Sequence, residues 1–253
     1  MKKWGNIGNN ILSIIFMIFC ITLWEIAIRF DQVSNYILPS PSAIIKALNK
    51  HKVILWEHTQ TTLFEAVVGL LIAIIFAVFI ALMMNRYPLI KKMIYPILVV
   101  SQTIPTIVLA PILMVLLGFG VLPKVIVVII ICFFPISVSV TEGLATVDKD
   151  LVDLLKAMKA TPWQIFIKVE LPATLPAFFS GLKISATYSI MGAVIAEWIG
   201  AKSGLGIYLT RAMSSHLIDA MFADVLIIVV ISVGLFQLIH LLGQKIMPWN
   251  KEN

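Results

Sequence analysis

Six apolar runs, each about as long as a membrane is thick, leave this chain few ways to fold. They fall at about 10–28, 63–84, 94–117, 123–141, 176–198 and 222–243. A helix needs roughly 20 mostly apolar residues to cross the hydrocarbon core. Within lipid every backbone N–H and C=O must find its partner inside the protein, which restricts spanning segments to helices and closed barrels. None of the runs alternates apolar with polar residues as a barrel strand does. They therefore predict an all-α integral membrane protein with six transmembrane helices, forming a single domain over residues 1–253. Charge agrees: 13% of the residues are charged, against about 25% in a typical soluble domain.

The first run follows Lys2 and Lys3, as a signal peptide would, but the chain continues "LWEIAIRF" with no small-x-small cleavage site. It is read as a retained span. Cys20 and Cys132 both lie inside apolar runs, which argues against a disulfide framework or a metal site. Basic residues exceed acidic ones, 19 to 13. They sit in short loops between the runs, which speaks for membrane orientation and against nucleic-acid binding. With the N-terminus inside, the inner face receives most of them: Lys2, Lys3, Arg86, Lys91, Lys92, Lys149, Lys156, Lys159, Lys168, Lys183, Lys245 and Lys251. The outer face receives Arg29, Lys46, Lys50, Lys52, Lys124, Lys202 and Arg211. Both termini are expected in the cytoplasm of a multi-pass plasma-membrane protein. In the first outer loop, "PSAIIKALNKHK" reads as a short amphipathic helix along the interface, with Ser40 as cap and Pro41 at its start.

The third run, "YPILVVSQTIPTIVLAPILMVLLGFG", carries Pro96, Pro105 and Pro111 beside the polar pair Ser101 and Gln102. Each internal proline removes a helical hydrogen bond and kinks the helix. Two readings stand here: a packing kink, or a stretch from Ser101 and Gln102 to Pro105 that lines a translocation route. Acidic groups in spans are costly, so Glu197 at the end of the fifth run reads either as paired to loop backbone or as part of a pathway. Glu25, Glu65 and Glu142 lie near span ends and read as interfacial anchors. Ser185, Ala186, Ser189, Gly192, Ala193 and Ala196 make a small-residue face for close packing against another span or a second subunit. Ser189 is also a pathway candidate.

Between the fourth and fifth runs lies a polar segment, residues 148–172, which the loop charges place inside. Asp148, Asp150 and Asp153 precede Lys156 and Lys159, an order that complements a helix dipole. Leu151, Leu154, Leu155 and Met158 share one helical face. Thr161, Pro162 and Gln164 then satisfy a capping box and restart a helix. Pro172 is expected to end that second helix, and Pro176 to open the fifth span. The result is a bent helix pair projecting from the membrane, joined directly to two spans.

The segment resembles the cytoplasmic loop of permease subunits of ATP-binding cassette importers. That pattern runs Glu-Ala-Ala, three residues, Gly, nine residues, Ile-x-Leu-Pro. Asp153, Leu154 and Leu155 take the first three places, Lys159 the glycine, and Val169, Leu171 and Pro172 the end. Lysine at the glycine place bends less readily, so either the Thr161–Pro162 restart carries the bend or Lys159 bends while meeting an acidic partner. "LPSPSAIIKAL", "SQTIPTIVLAPILMVLLGFG", "FFPISVSVTEGL", "LPATLPAFFSGLKIS" and "AEWIGAKSGLG" extend the likeness to the branch importing nitrate, sulfonates, taurine and thiamine-precursor pyrimidines. The resemblance implies the type I (MetI-like) importer permease fold, two copies of this chain, two cytoplasmic ATPase subunits and an extracellular or lipid-anchored solute-binding protein. It implies that Asp153, Leu154, Leu155, Lys156, Met158, Lys159, Ala160, Thr161 and Trp163 meet the ATPase. ATP would be bound by that partner, with no cofactor on this chain. The "AEWIGAKSGLG" end resembles thiamine-precursor pyrimidine permeases somewhat more than sulfonate ones, with sulfonate, taurine, nitrate or riboflavin as the alternative solutes.

Competing classes find less support. His51, His58, His216 and His240 form no ligand grouping, and there is neither an HExxH motif nor a phosphate-binding loop. His51 and His58 are expected to be solvated in the first outer loop. A standalone secondary transporter would call for inverted repeats.

Overall fold

The computed structural model of the protein describes residues 3–30 and 38–249. Ten α-helices make up this part: α1 (Lys3–Phe30), α2 (Pro41–Arg86), α3 (Pro88–Ser101), α4 (Thr106–Leu117), α5 (Val121–Ala145), α6 (Lys149–Ala157), α7 (Pro162–Ile165), α8 (Leu171–Glu197), α9 (Leu205–Ser214) and α10 (Ile218–Ile246). Among the described residues, four helical bodies are long and apolar enough to cross a membrane: α2, α5, the continuous stretch Pro162–Glu197, and α10. The bent pair α3 and α4 makes a fifth if counted as one span. The first apolar run forms α1, 28 residues long. Lys2 and Lys251, used to orient the chain, lie outside the described residues.

Helices α2, α5 and α8 make most of the core, and Ile239 of α10 packs into it. Along α2, Ala66, Ala73, Ala77 and Ala81 are fully buried at helical spacing, and a Cβ on Gly69 would come within 2.5 Å of Val128 on α5. Small side chains let the α2 and α5 backbones approach closely, which replaces the hydrophobic drive that lipid does not supply. The small-residue face of α8 packs on α5 within the same chain. A Cβ on Gly192 would meet Ile131 at 2.8 Å. Ser185 Oγ donates to the Cys132 carbonyl at 3.0 Å, and Cys132 Sγ to the Ser185 carbonyl at 3.3 Å. Glu25 ties α1 to the start of α2 by accepting from the Ser42 N–H and hydroxyl at 3.0 and 2.8 Å.

Several boundaries differ from those read in the sequence. Ser40 caps and Pro41 opens a helix as expected, but that helix does not stop as a short interfacial element. It runs unbroken for 46 residues into the second span, about 69 Å at 1.5 Å per residue. That is more than twice the hydrocarbon thickness. The third run is not one kinked span: α3 and α4 are bent by 102° at a break over residues 102–105. Pro96 and Pro111 ride inside the two helices; only Pro105 stands at the break. Nor does Pro172 end a helix. Helix α7 passes through a π-helical turn, Phe166–Glu170, straight into α8. The Leu171 N–H reaches back to the Phe166 carbonyl, and the wide turn makes room where the Pro172 ring would crowd the carbonyl four residues before it. Pro176 then lies inside α8.

Candidate functional site

At one end of the bundle, α6 and α7 form the bent pair. Asp148 caps α6 by accepting the Asp150 N–H at 2.9 Å, and Lys156 reaches Asp153 at 2.8 Å across one exposed turn. The end of α6 is a Schellman closure. The Ala160 N–H bonds to the Leu155 carbonyl at 3.0 Å and the Lys159 N–H to the Lys156 carbonyl at 2.9 Å. This places Lys159 in the left-handed region, φ 59°, where glycine is the usual occupant. Lys159 itself therefore makes the turn, and the Thr161–Pro162 restart follows it. The restart is a full capping box: Gln164 N–H to Thr161 Oγ1 at 3.3 Å, and Thr161 N–H to Gln164 Oε1 at 2.8 Å.

Helix α6 buries none of its residues. Leu151, Leu154 and Met158 stand exposed, Leu155 is half-buried, and Trp163 stacks on Phe166 with ring centroids 5.8 Å apart. Met158 is 70% exposed and Trp163 67%. This apolar face has no cover among the described residues. Helix α7 is continuous with α8 through the π-turn, so the pair joins the bundle as one helical stretch, Pro162–Glu197.

The break between α3 and α4 holds the polar pair of the third run. Ser101 Oγ donates back to the Leu98 carbonyl at 2.7 Å. Gln102 is exposed at the C-cap of α3, and Pro105 is the N-cap of α4.

The opposite end of the bundle holds a buried polar network. Glu197 ends α8 and is fully buried. Its Oε1 accepts from Thr62 Oγ1 at 2.7 Å and its Oε2 from the Gly206 N–H at 2.7 Å. Thr62 Oγ1 in turn accepts the Leu205 N–H at 2.9 Å. His58 Nδ1 accepts the Gly204 N–H at 2.9 Å, and its ring lies 5.4 Å from that of Tyr208. Burial, then the neighbouring Asp224 and Asp219, push the Tyr208 hydroxyl above its ordinary pKa. Next to Thr62, Glu65 on α2 is ion-paired with Lys124 on α5, both buried. Ser189, buried farther along α8, bonds to the Ala186 carbonyl at 2.8 Å.

Three expectations change here. Glu65 is no interfacial anchor but a fully buried partner of Lys124. Lys124 is correspondingly withdrawn from the loop in which it was counted. His58 is not solvated but buried under the returning loop. One signal in the sequence does mark this face: His58, Thr62 and Glu65 recur at helical spacing on α2.

Among the described residues the chain is an all-helical bundle with several membrane-length helices and an uncovered bent helix pair at one end, the build of a membrane-embedded subunit. The chain belongs to the family described as binding-protein-dependent transport system inner membrane component, whose model matches residues 69–248. ATP hydrolysis in such importers resides in a separate subunit, and a solute-binding protein completes them. A probable ABC transporter permease protein of Haemophilus influenzae is 37% identical over 214 residues, 85% of this chain and 87% of that one. The formylaminopyrimidine transport permease protein ThiX of Halalkalibacterium halodurans is 33% identical over 239 residues, 94% and 95% of the two chains. In fold, the chain is similar to a subunit of the inward-facing MetNI methionine ABC transporter, with TM-score 0.57 and 20% identity over 85% of this chain and 99% of that one.

Proposed function

We propose that this permease passes a thiamine-precursor pyrimidine, of the formylaminopyrimidine or hydroxymethylpyrimidine type, into the cell. The observation that carries the reading is the 33% identity with a permease named for formylaminopyrimidine, spread over nearly the full length of both chains. The whole chain acts as one permease domain with six spans and cytoplasmic termini. Two copies pair around the route, and an extracellular or lipid-anchored binding protein delivers the solute. Each copy seats its α6–α7 pair on an ATPase subunit through Leu154, Leu155, Met158 and Trp163, with Asp153, Lys156, Lys159, Ala160 and Thr161 at the edges. ATPase closure draws the two pairs together, and α8 carries the motion into the bundle. Ser101, Gln102 and Pro105 at the α3–α4 break, with Ser189 and Glu197 on α8, are the pathway candidates.

Uptake by the reconstituted importer tests the solute. ATP-dependent accumulation of labelled pyrimidine, resistant to excess taurine or nitrate, is expected. Accumulation of taurine or nitrate with none of pyrimidine overturns the substrate while leaving the permease role intact.

A further inference from the structure

Helix α9 begins at Gly204, whose missing side chain cannot cap it. Its first N–H groups are instead taken by side chains of other helices. The Gly204 N–H donates to His58 Nδ1 on α2 at 2.9 Å, the Leu205 N–H to Thr62 Oγ1 on α2 at 2.9 Å, and the Gly206 N–H to Glu197 Oε2 on α8 at 2.7 Å. Of these acceptors, Thr62 does not titrate, and a carboxyl that gains a proton keeps an acceptor oxygen. An imidazole that gains one becomes a donor at both nitrogens, and it does so near neutral pH. We propose that His58 is a pH-sensitive latch on α9: neutral, it holds the start of the helix against α2; protonated, it lets that start go.

Protonation acts twice at one atom. A hydrogen on Nδ1 sets two donors against each other where the Gly204 bond now runs. The new charge also stands at the positive end of the α9 dipole. The ring is 7% exposed and lies against Tyr208, so water cannot hydrate the cation in place. Relief comes from moving the loop. Gly200 and Gly204, both at positive φ, give residues 199–204 the freedom to move, and the remaining tether from α2 to this loop is the long Thr61–Ser203 contact at 3.3 Å. The latch is therefore shut above the ordinary imidazole range and opens as the pH falls through it. The charges around the ring are Glu57 beside it on α2 and Arg211 on α9, of opposite sign. Farther off, Asp219 and Asp224 of α10 face Tyr208, Glu197 of α8 is reached through Thr62, and Glu65 is paired with Lys124 of α5.

The test uses the full chain, assembled with its ATPase in lipid nanodiscs. One buffer reaches both faces there, so neither the orientation of the chain nor the solute it carries enters the result. Hydrogen–deuterium exchange is followed at about pH 8 and about pH 5, on either side of the ordinary imidazole value, with labelling times scaled to the intrinsic rate. Protection of the 199–212 region is expected to fall roughly tenfold or more at the lower pH, while that of α5 is unchanged. His58→Asn keeps an amide oxygen where Nδ1 stands and cannot titrate, so its loop should hold its protection in acid. A readout that needs no variant is the nitrogen-15 signal of His58 Nδ1 in the wild type, which should titrate in the same pH window as the loop opens. Equal wild-type protection at both pH values overturns the proposal. So does a loss in acid from His58→Asn that matches the wild type, or a ring that stays neutral while the loop opens. Loss of protection in α5 as well would mean that acid unfolds the bundle, and the latch falls with it.

Discussion

Gly206 donates its backbone N–H to Glu197 Oε2 at 2.7 Å, so the loop that leaves α8 folds back onto the residue that ends it. Two glycines make this possible. Gly206 approaches so closely that a Cβ would sit 2.2 Å from the Val194 carbonyl oxygen. Gly204, at φ +126°, would place a Cβ 2.1 Å from the Glu197 carboxyl carbon. Backbone strain and overlap therefore act together at Gly204. Gly204→Ala should destabilise the chain by about 3 kcal/mol, read as a lowered melting midpoint in detergent. A midpoint equal to that of the wild type would contradict this loop geometry.

The face of α6 gives a prediction of the opposite kind, with function lost and fold kept. Met158 and Leu154 are exposed and bury little against the described residues. Replacing either with aspartate should shift stability by no more than about 0.5 kcal/mol. The same change places a charge on the apolar face offered to the ATPase, where desolvation without a partner is unfavourable. Met158→Asp and Leu154→Asp should form normal bundles whose ATPase no longer responds to loaded binding protein. Wild-type transport by both would remove this face from the contact.

What could be read in advance follows from the range of each interaction. The Thr161 capping box and the Ser40–Pro41 helix start are set within four residues, the α6 charge order within one short helix and its caps, and the structure contains all three. The uninterrupted length of α2 was hidden because a change from amphipathic to apolar composition looks like a boundary, yet nothing between Lys52 and Leu63 breaks a helix. Pro172 departs from its expected place as a helix end for a similar reason: a proline rule describes an α-helix, whereas a π-turn accommodates the ring. Glu65 and Lys124 lie 59 residues apart, and His58 and Gly204 lie 146 apart. No local pattern links such pairs. Lys159 concealed its left-handed turn because the residue type usual there is absent.

That turn is itself testable. Lysine in the left-handed region costs about 1 kcal/mol relative to glycine, and the Schellman bonds of Lys159 and Ala160 hold it there. Lys159→Gly should relieve the strain and slow amide exchange in α6 and the turn, measured by hydrogen–deuterium exchange of the 149–165 region. Faster exchange would mean that the lysine side chain supports the turn by a contact of its own. Unchanged transport in this variant would exclude a required contact between Lys159 and an acidic group on the ATPase.

The break between α3 and α4 yields the last prediction. A 102° bend in an apolar run leaves backbone groups that lipid cannot satisfy, so such a bend belongs against protein or water. Gln102 is exposed at this point, whereas Ser101 is turned back onto its own helix. If the break lines the route, Gln102 offers an amide donor and acceptor to a polar solute. Gln102→Leu keeps a similar bulk and changes no buried contact, so assembly with the ATPase and the melting midpoint should match the wild type. Solute flux should fall, and the loss should persist at saturating binding protein, because the defect lies past delivery. Wild-type flux from Gln102→Leu would make the polar pair a feature of the bend alone and move the route elsewhere in the bundle.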